Sequence, residues 1–165
     1  MAFSLLGHYE EARDASQEAF VSAYRSLRRF RAEAKFSTWL YRIVVNECHD
    51  ARRRRARRPA SVASVGESGA DDEAGPGLFV DAPDPGAGPD DQAASRELSR
   101  QLSGAIERLA MNQRTAFVLR HLHGLSVDEV AVIMRCRVGT VKSHLFRATR
   151  RLRVELAPWV TIEDG

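Results

Sequence analysis

Eight residues near the end of the chain gather cationic and hydrogen-bonding side chains into one stretch: Arg137, Gly139, Thr140, Lys142, Ser143, His144, Arg147 and Arg150. Lysine and arginine neutralise phosphates and read guanine edges, and serine and threonine make weaker contacts of the same kinds. A helix opening near Gly139 and Thr140 also presents free backbone N–H groups to a phosphate. A second cluster, "RRRRARR", places six arginines at 52–58. The chemistry these residues suit is capture of a polyanion. A merely solvated positive helix face carries the same charge pattern, so the elements that hold these side chains must decide between the two readings.

Charge is segregated along the chain. The formal net charge is only +3 and the pI about 9.2. From Pro59 to Ser95 there is no lysine or arginine. The same stretch holds eight acids: Glu67, Asp71, Asp72, Glu73, Asp81, Asp84, Asp90 and Asp91. Basic blocks without a long apolar run favour nucleic acid over a membrane as the partner, and no membrane insertion is expected. Cys48 and Cys136 are too few and too far apart for a disulfide framework or a zinc site. A reduced, cytoplasmic setting is the simplest expectation. No P-loop, GxGxxG, HExxH or cysteine metal spacing occurs, so neither an enzyme nor a resident metal or cofactor is expected.

Stepping along the chain, the periodicity is helical throughout. Residues 2–6, "AFSLL", read as the last turns of a helix closing at Gly7. So short a helix does not nucleate alone, and the first domain is expected to begin in mid-element. In 10–30, Ala12, Ala15, Ala19, Ala23, Leu27 and Phe30 recur on one helix face, which Phe20 and Tyr24 widen. Ser37 is placed to cap a second helix with Trp39, Leu40, Ile43, Val44 and Cys48 inward, ended by Pro59. Trp39 is expected in the core, and His49 is expected at the surface. Residues 59–91 hold five of the six prolines and six of the eleven glycines, the composition of a disordered linker, with "GLFV" at 77–80 as a short apolar island. Leu98, Leu102, Ala105, Ile106 and Leu109 mark a third helix. Ala116, Phe117, Leu119 and Leu122 mark a fourth, ending at Gly124. Ser126 and Glu129 form a capping box ahead of Val130, Ile133 and Met134. After a turn at 135–138, Val141, Leu145, Ala148 and Leu152 face inward on a last helix. The expected fold is all-α: two small helical domains, 1–58 and 92–160, joined by the acidic linker 59–91. A capped bracing helix, a short turn and a basic helix make 126–153 a helix-turn-helix, which moves the reading from a solvated face towards DNA.

At "LSVDEVAVIMRCRVGTVKSHLFRATRRLR" (125–153) the chain resembles region 4.2 of bacterial sigma factors of the extracytoplasmic-function group in the sigma-70 family. "LAMNQRTAFVLRHLHGLS" (109–126) resembles that region's lead-in, with Ala110 where a proline is usual. Independently, "GHYEEARDASQEAFVSAYRSLRRFRAEAKFSTWLYRIVVNECHDARRRR" (7–55) resembles region 2, most specifically at "QEAF" and "FSTWLYRIVVN". The resemblance covers roughly two-thirds of the chain and lacks the N-terminal part of region 2. His144 and Thr149 stand where arginines are usual.

The resemblance implies a sigma factor that binds core RNA polymerase, through the clamp helices of the largest subunit and the flap, and directs promoter-specific initiation. It implies that region 2 recognises and melts the minus-10 element and that region 4 binds the minus-35 element. Asp14, Gln17 and Glu18 would dock on the clamp helices. Arg31 and Lys35 belong to the loop that helps hold a flipped base, followed by Phe36; Asn46 would make a polar DNA contact, and Arg52, Arg53, Arg54 and Arg55 would hold promoter phosphates. Unstacked bases find a substitute on aromatic and cationic surfaces at roughly 1–3 kcal/mol per stacked base. An anti-sigma factor is a further partner of this class. The linker, ~35 residues, reaches at most ~115 Å and averages ~30–35 Å as a flexible coil, enough to let two modules engage separated elements. A stand-alone helix-turn-helix regulator is the alternative, though it leaves "QEAF" and "FSTWLYRI" without a role.

Overall fold

The computed structural model describes residues 1–57 and 89–159, and every regular element among them is helical. In chain order these are α1 (Ala2–Leu6), α2 (Tyr9–Ser26, followed by a 3-10 turn at Leu27–Arg29), α3 (Phe36–Arg57) and α4 (Pro89–Glu107). Then come α5 (Met111–Phe117, widening into a π-helical turn at Val118–Leu122), α6 (Val127–Met134) and α7 (Val138–Leu156). The expected stop at Pro59, the "GLFV" island and nearly all of the expected linker lie outside the described residues. Helix α4 starts at Pro89, inside the stretch read as linker. Proline suits that first turn, because its missing N–H would have no intrahelical partner there.

Helix α1 closes at Gly7, whose φ of +77° is the left-handed conformation and whose N–H donates to Phe3 O at 2.8 Å. A five-residue helix is not stable by itself. Leu5 and Leu6 hold it, both buried, with α2, α3, α4 and α5 around them. Helix α2 lays Ala12, Ala15 and Ala19 against α1 and α3, and small side chains there let the backbones approach closely. Phe20 and Tyr24 do not widen this face, contrary to expectation: they are 72% and 82% exposed. They lie one step further round the helix, where no described element packs.

The inner face of α3 also differs from the expected one. Thr38, Val45 and Cys48 are buried, whereas Trp39, Leu40, Ile43 and Val44 are only half-buried. The reason is that α3 lies between α2 on one side and α6 on the other, so its contact surface is broad and shallow. Trp39 instead packs its ring with Phe30 and Phe36, at centroid separations of 5.2 and 5.3 Å. The helix itself starts at Phe36, one residue before the expected cap Ser37.

The second module is built round Ala105, Ile106, Leu109, Leu119, Val130, Ile133, Val141 and Ala148, all essentially inaccessible. Leu98, expected inward, is exposed. Helix α7 packs on α4, α5 and α6, and α3 reaches across to α6, so the buried residues of both modules form one continuous core.

Candidate nucleic-acid interface

The basic helix is positioned from its bracing partner upward. Ser126 caps α6: its Oγ accepts from Glu129 N at 3.2 Å, and Glu129 Oε2 accepts from Ser126 N at 2.9 Å. The Glu129 carboxylate accepts from the Ser126 N–H, from Lys35 Nζ and from the Ser126 hydroxyl, and these bonds hold it down at about 2. The chain then turns through Arg135 in the left-handed region, φ +52°, and enters α7 at Arg137. Arg137 takes the cap position but supplies no side-chain cap, so the first N–H groups of α7 have no side-chain acceptor. Val141, Ala148 and Leu152 bury the inner face of α7.

What remains outside is the expected row. Arg137, Gly139, Thr140, Lys142, Ser143, Arg147 and Arg150 are exposed. Ser143 Oγ already donates to Gly139 O at 3.0 Å, which leaves its oxygen lone pairs for a donor on the partner. His144 departs from the row: it is half-buried, and its Nδ1 is buried without a partner. Burial, then the charge of Arg147, lowers its pKa below the ordinary histidine value, so at neutral pH it brings no positive charge. Phe146, by contrast, points outward at 69% exposure.

The second cationic surface lies on α3 and the loop before it. Arg31 and Lys35 are exposed, and between them Ala32 sits at φ +55°, a left-handed conformation that strains an alanine. Phe36 is half exposed and stacks edge-on with Phe30 at 5.6 Å. Asn46, Arg52, Arg53, Arg54 and Arg55 are exposed further along the helix. Arg53 pairs with Asp50, and Arg55 with Glu11 at 3.3 Å. On the opposite side of α2 from its buried alanines, Asp14, Gln17 and Glu18 share an exposed polar face.

The tertiary structure brings these two surfaces together in a way the sequence did not suggest. Lys35 Nζ lies 3.0 Å from Glu129 Oε1, tying the α3 loop to the cap of α6. Asn46 and Arg53 share a cleft of about 410 Å³ with Met134 and Arg135. Tyr41 meets His123 Nδ1 at 3.2 Å, and His49 Nε2 meets Thr115 Oγ1 at 3.1 Å. Thr115 donates its own proton to Met111 O, so His49 is the donor in that pair. His49 is therefore an interface residue and not a surface one. Sequence reasoning also missed Arg114, which is 1% exposed and donates to Leu5 O at 2.7 Å. No local signal marks Arg114, because its burial comes from α1, over a hundred positions away.

The family Sigma-70 region 2 matches residues 1–58, and Sigma-70, region 4 matches residues 99–152. The ECF RNA polymerase sigma-E factor of Haemophilus influenzae is 38% identical over 146 residues, covering 88% of this chain and 74% of that one. The RNA polymerase sigma-H factor of Pseudomonas aeruginosa is 37% identical over 150 residues, covering 90% and 75%. Among solved structures, the sigma factor RpoE in complex with the anti-sigma factor NepR from Bartonella quintana superposes with a TM-score of 0.68 at 24% identity, over 94% of this chain and 87% of that one. CnrH in complex with the cytosolic domain of CnrY gives 0.62 at 22% identity, over 95% and 78%. Those two likenesses show the fold.

Proposed function

Since this chain belongs to the sigma-70 family as an extracytoplasmic-function sigma factor and directs transcription, we propose how its two modules divide that work. The domains run 1–58 for region 2 and 92–160 for region 4, with 59–91 between them. In region 2, Asp14, Gln17 and Glu18 form the polar face that meets the clamp helices of core RNA polymerase. Their exposure opposite the buried alanines supports this. Arg31, Lys35, Phe36 and Asn46 handle the minus-10 element, and Arg52, Arg53, Arg54 and Arg55 hold its phosphates. In region 4, Arg137, Gly139, Thr140, Lys142, Ser143, Arg147 and Arg150 face the minus-35 element, with neutral His144 contributing shape and no charge.

The observation that carries this reading is the α6–α7 pair: a capped bracing helix, a tight left-handed turn and a second helix whose exposed face is a row of cations and small polar groups. Such a helix fits the major groove, with its N-terminal residues at base edges. The chain acts by binding and needs no reaction of its own. Its place of work is the cytoplasm, and an anti-sigma factor is a partner of the right class. A stand-alone regulator is not favoured, because it leaves the region 2 match idle.

Run-off transcription with core RNA polymerase is the test. The chain is expected to direct synthesis from a defined start on a promoter fragment, and core polymerase alone is not. Failure of the chain to bind core polymerase, together with undiminished DNA binding by itself, would overturn the division of labour.

A further inference from the structure

A cleft of about 350 Å³ lies between the two modules, lined by His8 of the α1–α2 junction, Glu11 of α2, Arg52 and Arg55 of α3, Glu107 of α4 and Arg114 of α5. Its chemistry is unbalanced. Glu11 is already paired with Arg55. Among the described residues neither Arg52 nor Arg114 has a salt bridge. Arg114 is buried, makes one bond to a carbonyl, and leaves its Nε with no partner. A buried guanidinium with an unmet donor is costly, and more so beside another positive charge. Burial first, then the charge of Arg52, brings Arg114 down to about 10, against the opposing pull of Glu107. Two like charges thus face one cavity.

The size and walls narrow what fits. The volume falls at the small end of ligand pockets, roughly 300–1,000 Å³, and exceeds what a single oxyanion fills. The apolar lining is Leu6 and Ala56, and the one ring among the lining residues is the small imidazole of His8, with no Phe, Tyr or Trp to form a nucleobase platform. Recognition therefore rests on charge and on the fork geometry of guanidinium groups, which matches phosphate oxygens. Glu107 works against an anion, and its position is set by the backbone: a Cβ on Gly7 would lie 2.7 Å from Glu107 Cδ, so glycine makes room for that carboxylate.

We propose that this cleft is a binding site for a small polyphosphate anion, held between Arg52 of α3 and Arg114 of α5. Both modules contribute a cation, so the bound anion ties them together. Arg52 also belongs to the basic row assigned to promoter phosphates, and the small anion and DNA compete for it.

The experiment is calorimetric titration of the full chain with sodium pyrophosphate, ionic strength held constant with sodium chloride. Saturable binding of one pyrophosphate per chain is expected. Arg114→Met should weaken it by about ten-fold or more, the loss of one charge-assisted contact. Glu107→Gln should tighten it several-fold, because a repelling carboxylate is removed. If Arg114→Met loses its helical signal by circular dichroism, Glu107→Gln decides the matter, and unchanged or weaker binding there overturns the site. Absence of saturable binding by the wild-type chain overturns it, as does equal affinity for inorganic phosphate. A short DNA duplex is the remaining arm: should Arg114→Met weaken duplex and pyrophosphate alike, the cleft belongs to the promoter interface and the proposal falls.

Discussion

At the scale of single residues, the row proposed to face DNA is a matter of which side chains remain free. Lys142 and Arg147 are exposed and have no salt bridge among the described residues, so both can reach a duplex. Arg147→Ala is expected to cost about 1–3 kcal/mol at one base position if the contact is bidentate to guanine. Lys142→Ala should weaken all sequences alike and lower the salt slope by about one. Fluorescence anisotropy against duplexes varied at each minus-35 position separates the two outcomes. Glu129 offers a pH prediction. Its folded pKa lies below the ordinary carboxylate value, so its contribution to stability is complete above about 4.3 and fades as pH falls towards about 2. Urea melts across that window should show the wild-type chain losing its advantage over Glu129→Gln as acid is added, with no difference left once the carboxyl is protonated in both states. A gap that persists below the window would place the effect elsewhere. The capping box behind this was legible in the spacing Ser126-x-x-Glu129. The Lys35 half of it was not, because the two residues meet only through the fold.

At the scale of elements, two left-handed residues that are not glycine mark strained joints: Ala32 in the α2–α3 loop and Arg135 in the turn between α6 and α7. A left-handed conformation costs an L-residue about 1–2 kcal/mol, part of which glycine gives back through unfolded-chain entropy. Arg135→Gly should therefore stabilise the fold by about 0.5–1 kcal/mol in urea denaturation. A neutral or negative result would mean that the arginine side chain contributes more than the turn costs. Helix α1 tests the reverse dependence, since so short a helix stands on the burial of Leu5 and Leu6, Leu5 wholly inaccessible. Leu5→Ala is expected to destabilise the chain by about 2–5 kcal/mol and to loosen α1 from α5, a change readable by hydrogen exchange at Gly7 N–H. Helix existence was legible here and inner faces less so. Alanines at 12, 15 and 19 announced their face, but Trp39 and Phe20 did not, because aromatic spacing on a helix does not say which neighbour arrives to cover it.

At the scale of the whole molecule, the two modules share a core and meet through Lys35–Glu129, Tyr41–His123, His49–Thr115 and Arg114–Leu5. Under the proposed division of labour, Asn46 and Arg53, though exposed, need the cleft they share with Met134 and Arg135 to open before promoter DNA can seat along α3. Dyes on Arg28→Cys and Val154→Cys, with Cys136→Ser, should lose energy transfer when core polymerase and promoter DNA are added. Cys48 escapes labelling, being buried with its thiol pushed up to about 12. Unchanged transfer would mean that the packed form itself engages the promoter. Acid should act in the same direction as DNA. Burial lowers the pKa of both His49 and His123, with Arg53 and Arg52 adding to the effect at His49 against Asp50. The stability those neutral rings give the packed form is complete above about 6.5 and declines as pH falls below it. The amino-acid order alone determined the helical class, the capped helix-turn-helix, the two cationic clusters and their separation by an acidic stretch. Each of these is written in periodicity, capping and charge within short windows of chain. Only the tertiary structure decided that α3 lies against α6, that His49 and Tyr41 are interface groups, that His144 turns inward, and that Arg114 is buried beside α1. Those outcomes depend on which distant surfaces meet, and burial and the pKa shifts that follow are properties of the meeting and not of any one segment.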